Sequence, residues 1–337
     1  MKAREYTFDA SYQPQVRTKT GTSNIMLDVI IALIPALAVG VWQFGIKALL
    51  LVAVSVASCV FFEWGYRKLM KKPDSIGDLS ACVTGLLIAL VIPVGSPWWM
   101  PVVGAAFAMI VVKQLYGGLG KNFLNPALAA RAFMMASWPV IMTTWAVPKM
   151  FAAVDAVSSA TPLSYMYAGA EMPAYYSFKN LLIGGCAGCI GEVSVIALLI
   201  GGAYLLAKKV INWRIPVAFI GTVAVLTLIF GHEGYGNGEW MLYNVLSGGL
   251  MLGAIFMATD YSSSPVTLNG QLLYGFGCGA LTVLIRYFGS YPEGVSYAIL
   301  IMNLCAWAID KGTRGRQFGV SKEDLKAAKK AAKEAKA

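Results

Sequence analysis

Charge is scarce in this chain. Only 13% of its 337 residues are Asp, Glu, Lys or Arg, and there is a single histidine, His232. One histidine, beside Glu233 in a polar loop, leaves no His-based acid–base site to assemble, and a surface position is expected for it. No G-x-x-x-x-G-K-S/T loop is present, which argues against an ATP-driven pump, and no G-x-G-x-x-G follows a strand-like run, which argues against a dinucleotide domain. The first two dozen residues are polar and mixed in charge, so no cleavable signal peptide is expected. The six cysteines, Cys59, Cys82, Cys186, Cys189, Cys278 and Cys305, fall within or beside apolar runs, a placement that does not suit a disulfide framework. Cys186 and Cys189 form C-A-G-C, but no second pair lies nearby, so small-residue packing between helices is the better reading and no metal is expected.

What is present is apolar surface. Hydrophobic residues make up 58% of the chain, and the mean hydropathy is +0.64. Repeated apolar runs of about 20 residues indicate an all-α polytopic membrane protein rather than a barrel, whose strands would alternate over short segments. Ten transmembrane helices are expected, near 25–44, 46–65, 79–93, 98–116, 125–144, 180–207, 214–231, 241–259, 271–289 and 295–310, the third short and interrupted at Pro93. The net charge of +10 sits mainly in short loops and the tail. Arg67, Lys68, Lys71, Lys72, Lys113, Lys121, Lys208, Lys209, Arg214, Lys311, Arg314 and Arg316 would share one side, which makes both termini cytoplasmic. Membrane lipid, not nucleic acid, is the partner this charge implies. The expected organisation is a cytoplasmic segment 1–24, a five-helix half 25–144, an external loop 145–179, a second half 180–310 and a basic cytoplasmic tail 311–337. "GLLIALVIPVGSP" (85–97) aligns with "GAIFMATDYSSSP" (253–265), and "GKNFLNPALA" (120–129) with "GSYPEGVSYA" (289–298). The copies start on opposite sides, as an inverted repeat requires.

Ionisable residues inside apolar runs are costly and point to function. Asp28, Arg131, Glu192, Asp260 and Arg286 are the candidates, with interfacial capping the competing role for Asp28 and Asp260 and bonding to helix-end carbonyls that for Arg131. Glu192 and Asp260 are the polar groups expected nearest an ion path. The remaining oddity is "DAVSSATPL" (155–163), where small hydroxyl residues crowd together in the expected external loop.

That stretch resembles the D-G/A-x-S-G/S-A-T flavinylation motif of the RnfD/NqrB family of membrane subunits. "TGTSNIMLDVIIALIPA" (20–36), "YGGLGKNFLNPALAARAFM" (116–134), "GCIGEVSVIALLIGG" (188–202) and "FMATDYSSSPVT" (256–267) also look like family signatures, in the expected order. The resemblance implies that Thr161 is esterified to the phosphate of FMN by a separate flavin transferase, with Asp155, Ser158, Ser159 and Ala160 as its recognition context. The chain would then be a flavoprotein and, through its phosphoryl link, a phosphoprotein. A threonine hydroxyl needs outside activation, consistent with a dedicated enzyme. The compact N-terminus is more similar to the RnfD branch, the D subunit of the Rnf complex, than to the NqrB branch of sodium-pumping NADH:quinone oxidoreductases, which stays open. The implied function is electron transfer within a complex that couples ferredoxin/NAD chemistry to Na⁺ or H⁺ translocation in the bacterial cytoplasmic (inner) membrane. The chain is not catalytic alone, and no catalytic residue is assigned. Partners would be the other Rnf subunits, among them a second covalent flavoprotein, and the resemblance to NqrB adds a non-covalent riboflavin. A solute channel or secondary transporter without a redox role, and a scaffold with a vestigial flavin, are the readings from other classes.

Overall fold

The computed structural model describes residues 21–149, 158–170, 173, 176–185, 187–232, 234–289 and 293–315. Asp155, Cys186, Glu233, Arg316 and the basic tail beyond it lie outside the described residues. Helices α1 (Thr22–Phe44) and α2 (Ile46–Leu69) form from nearly uninterrupted apolar sequence and turn at Gly45, whose φ of 75° allows the abrupt reversal. They are followed by a 3₁₀ turn (Ile76–Asp78), α3 (Ser80–Leu90) and α4 (Trp99–Ala106), which runs on as a π-helix over Phe107–Gln114. Then come α5 (Pro126–Ser137), α6 (Pro139–Met142), α7 (Pro162–Tyr167), α8 (Phe178–Ile183), α9 (Val195–Ala207) and α10 (Arg214–Phe230). The chain continues through α11 (Asn237–Leu246), α12 (Leu250–Leu252, continuing as a π-helix to Met257), α13 (Leu268–Phe288) and α14 (Val295–Thr313). Two two-residue strands, β1 (Trp145–Ala146) and β2 (Ser158–Ser159), pair antiparallel between α6 and α7.

The described residues are thus almost wholly helical, and among them three helices (α1, α2 and α13) are long and apolar enough to cross a membrane. A fourth span results if α11 and the Leu250–Met257 segment, bent by 59°, count as one. Several expected spans are not continuous helices. The run 180–207 divides into α8 and α9, because Gly184 (φ 148°) ends α8 and a glycine-rich segment follows. The run 241–259 breaks at Ser247, Gly248 and Gly249, both glycines having positive φ. The run 125–144 ends as α5 at Trp138, where Pro139 has no amide to continue the ladder. The third run stops at Leu90, three residues before Pro93.

Short polar side chains restart the chain after such breaks. Asn125 accepts hydrogen bonds from the amides of Ala127 and Leu128. Ser194 caps α9 and Thr267 caps α13 in the same way. The unwound segments pair with each other. Gly191 N donates to Leu90 O (2.8 Å), and the Cys189 thiol donates to Val91 O (3.1 Å). Breaking helices next to one another lets their free backbone groups find partners away from water. Large apolar side chains such as Trp42, Leu50, Phe61, Ile229, Phe276 and Trp307 face outward from α1, α2, α10, α13 and α14, the surface expected against lipid.

Candidate functional site

Thr161 is the N-cap of α7. Its Oγ1 accepts from Ser164 N (3.2 Å) and pairs with Ser164 Oγ (2.9 Å), and Pro162 at the first helical position needs no amide partner. Thr161 is 3% exposed, while the preceding Ala160 is exposed. Tyr176 fixes the approach by donating to Ala160 O (2.9 Å). Ser158 and Ser159 lead in through backbone pairing with Ala146 and Trp145. The segment rests on an aromatic bed that includes Trp145, Tyr176, Trp240 and Tyr243 and is separate from the main core. His232, expected at the surface, is half-buried and stacks on Trp240 at 4.6 Å between ring centroids.

Beneath α7 lies Arg286, 1% exposed. It donates to Asn244 O (2.6 Å) and Ser247 O (3.3 Å), the carbonyls freed where α11 ends. Helix-end bonding, the competing role for Arg131, is therefore the work of Arg286. Tyr167 donates to Asn244 Oδ1 (2.9 Å), and burial pushes its phenol up against the opposing effect of Arg286. Arg286 Nε and Ser247 Oγ are buried without a hydrogen-bond partner among the described residues.

Arg131 instead makes ion pairs, to Glu192 Oε1 (3.3 Å) and Glu293 Oε2 (2.5 Å), all three side chains buried. Nothing in the sequence pairs these residues, and Glu293 is not among the candidates that sequence offers. Cys189 joins them, its sulfur and the two carboxylates lying within 4.8 Å of one another. A second buried pair escapes sequence reasoning too. Lys113, expected to charge a cytoplasmic loop, is buried against Glu63 (3.0 Å) and donates to Ser80 Oγ (2.6 Å). Lys113 is thus withdrawn from the loop charge that set the orientation.

Asp260 is apart from this cluster. It accepts from Ser262 Oγ (3.1 Å) and Ser263 Oγ (2.9 Å), as a carboxylate ordering its own turn does. Together with Lys113, Asn122 and Tyr261 it lines a mostly apolar, partly open cleft of about 90 Å³, smaller than the usual small-ligand site. Asp28 accepts from Tyr204 OH (2.7 Å), tying α1 to α9 rather than capping a helix.

Discontinuous helices, buried ion pairs inside an apolar body and a threonine segment on an aromatic bed define a class: a helical membrane protein built to hold charge in its interior. The chain belongs to the NQR2, RnfD, RnfE family, whose model matches residues 9–319. It is 49% identical over 320 residues to the D subunit of the Na⁺-translocating ferredoxin:NAD⁺ oxidoreductase complex of Acetobacterium woodii, covering 94% of this chain and 97% of that one. It is 43% identical to the D subunit of the proton-translocating ferredoxin:NAD⁺ oxidoreductase complex of Clostridium ljungdahlii, covering 93% and 96%. A third relative, the D subunit of the ion-translocating oxidoreductase complex of Shewanella amazonensis, is 38% identical over 93% of this chain and 98% of its own.

Proposed function

We propose that this chain is the membrane electron-transfer subunit of an Rnf-type complex that couples ferredoxin/NAD chemistry to Na⁺ or H⁺ translocation, and that it carries FMN esterified to Thr161. The names of its relatives support the complex. The observation that carries the flavin reading is Thr161 itself, a motif threonine at the start of a short helix over a bed of aromatic side chains.

The residues present fit the group. Bound FMN supplies one- and two-electron carriage. Trp240, Tyr243 and Tyr176 are buried under the segment, so a ring system would reach them only with the segment lifted, while Arg286 and Ser247 retain polar atoms with no partner among the described residues. Arg286 would hold negative charge, since its guanidinium is bonded to carbonyls and makes no ion pair among the described residues. Because the Thr161 hydroxyl is buried, a transferase reaches it only with this segment lifted from the bed. The reading also includes a second, non-covalent flavin such as riboflavin, for which the cleft beside Asp260, about 90 Å³, is too small as it stands.

In this reading the chain sits in the bacterial cytoplasmic membrane with ten spans, both termini inside and residues 145–179 outside. The order of elements supports the inverted repeat. Each half has a first helix (α1, α9), a second (α2, α10), a third that is short (α3) or bent at a break (α11 with α12), a fourth (α4, α13) and a fifth (α5, α14). The other complex subunits, including a second covalent flavoprotein, and the transferase are its partners. Co-expressed with the transferase and run on a denaturing gel under ultraviolet light, the chain is expected to fluoresce. Thr161→Val abolishes the band; Ser158→Ala and Ser159→Ala retain it. A dark wild-type band would leave the solute-transporter reading in its place.

A further inference from the structure

The Arg131 cluster has an unbalanced interior. Two carboxylates, Glu192 and Glu293, face one guanidinium, and both carboxylates are buried. Glu293 Oε2 is bonded to Arg131, but Glu293 Oε1 is buried with no hydrogen-bond partner among the described residues. An ionised carboxylate oxygen left dry and unpaired is costly, and two carboxylates sharing one site are rarely both ionised. A metal ion fits poorly. Two acids and a thiol give a small donor set, the thiol proton is committed to Val91 O, and the guanidinium lies within 3.3 Å of carboxylate oxygens. A proton needs only the one free oxygen.

The cluster also lies close to α7, with Arg286 between them. A Cβ on Gly248 would lie 2.9 Å from Arg286 Nη2 and 3.0 Å from Leu163 Cδ2, and one on Gly249 would strike Glu192. Two adjacent glycines thus bring the α7 side chains, Arg286 and the acid pair together. Counting Arg131 and Arg286 against both carboxylates, the set is neutral without the proton and carries one positive charge with it. Negative charge arriving beside Arg286 therefore favours the protonated form.

We propose that Glu192 and Glu293 together hold one exchangeable proton, taken from water as an O–H bond on Glu293, and that Arg286 ties its occupancy to negative charge on the Thr161 segment. The groups facing the pair are Arg131 from α5, Cys189 from the unwound segment and Arg286 from α13. Burial first, and then the Glu192 carboxylate, push Glu293 up to about 7, against the opposing pull of Arg131 and Arg286. The proton is thus held below that pH and released above it.

The site does not depend on the flavin reading; its coupling to reduction does. Infrared spectra of the full chain in lipid vesicles, in water and heavy water, test both. A protonated-carboxyl band is expected that fades as pH rises through neutrality and is lost in Glu293→Gln. The same band should appear in Thr161→Val, which carries no flavin, so failure of the site and failure of the flavin reading are separate results. A neutral-range band absent from wild type, or unchanged in both Glu293→Gln and Glu192→Gln, overturns the proposal. Loss of the band when sodium replaces potassium overturns the choice of a proton. Chemical reduction at fixed pH should strengthen the band in the flavinylated chain and leave Thr161→Val unchanged; no response in the flavinylated chain removes the coupling.

Discussion

Lys113 and Glu63 commit two opposite charges to the interior, held further by Ser75, Ser80 and Gln114. Burying such a pair gives little net stability, but removing one partner strands the other charge, at a cost of about 3–5 kcal/mol. Lys113→Met and Glu63→Leu are each expected to lower thermal stability by that order in detergent. The double variant should recover most of the loss, because neither charge remains unpaired. Single variants that melt like wild type would mean that water reaches this pair. Residues of this kind explain what could and could not be read at the residue scale. Thr161 could be proposed from sequence because its motif is contiguous. Glu293 was not, because Arg131 lies 162 positions away, and Lys113 looked like a loop charge because Glu63 lies 50 positions away.

Helices in this protein end where glycine, proline and capping hydroxyls interrupt apolar sequence, and close backbone contacts fill the gaps. A Cβ on Gly191 would come within 2.7 Å of Leu90 Cβ and 3.0 Å of Leu90 O, between the two unwound segments. One on Gly201 would strike the carbonyl of Ala32, where α9 crosses α1. Gly191→Val and Gly201→Val are therefore expected to lower the thermal midpoint and the yield of folded chain. A Cβ on Gly221, within α10, would meet nothing within 4 Å. There Gly221→Ala should be neutral or stabilising by up to about 1 kcal/mol, since alanine is the better helix former. Equal losses at all three positions would show that helix propensity, not close approach, governs them. The breaks were signalled by Gly-Gly at 248–249, by the glycines at 184–191 and by Pro93 and Pro139. Hydropathy averages over such signals, which is why 180–207 and 241–259 read as single spans.

On the scale of the whole molecule, orientation is the open consequence. The proposed topology has residue 315 inside and residue 169 outside, and the loop charges that motivate it favour this even with Lys113 withdrawn from the count. In a background without native cysteines, a membrane-impermeant maleimide added to intact cells should label Gly169→Cys and spare Gly315→Cys until the membrane is opened. The reverse pattern would invert the proposed topology and put Thr161 on the wrong side for the proposed transferase.

The helical membrane class and the family could be read from the residues in order, and Thr161 could be proposed from them, because hydropathy and short motifs are properties of neighbouring residues. Which buried charges meet is set by the three-dimensional path of the chain. Arg131 with Glu192 and Glu293, Lys113 with Glu63, and Arg286 with the carbonyls of a broken helix are brought together by chain segments far apart in sequence. In an apolar interior each charge must find such a partner, and the path of the backbone determines which one it finds.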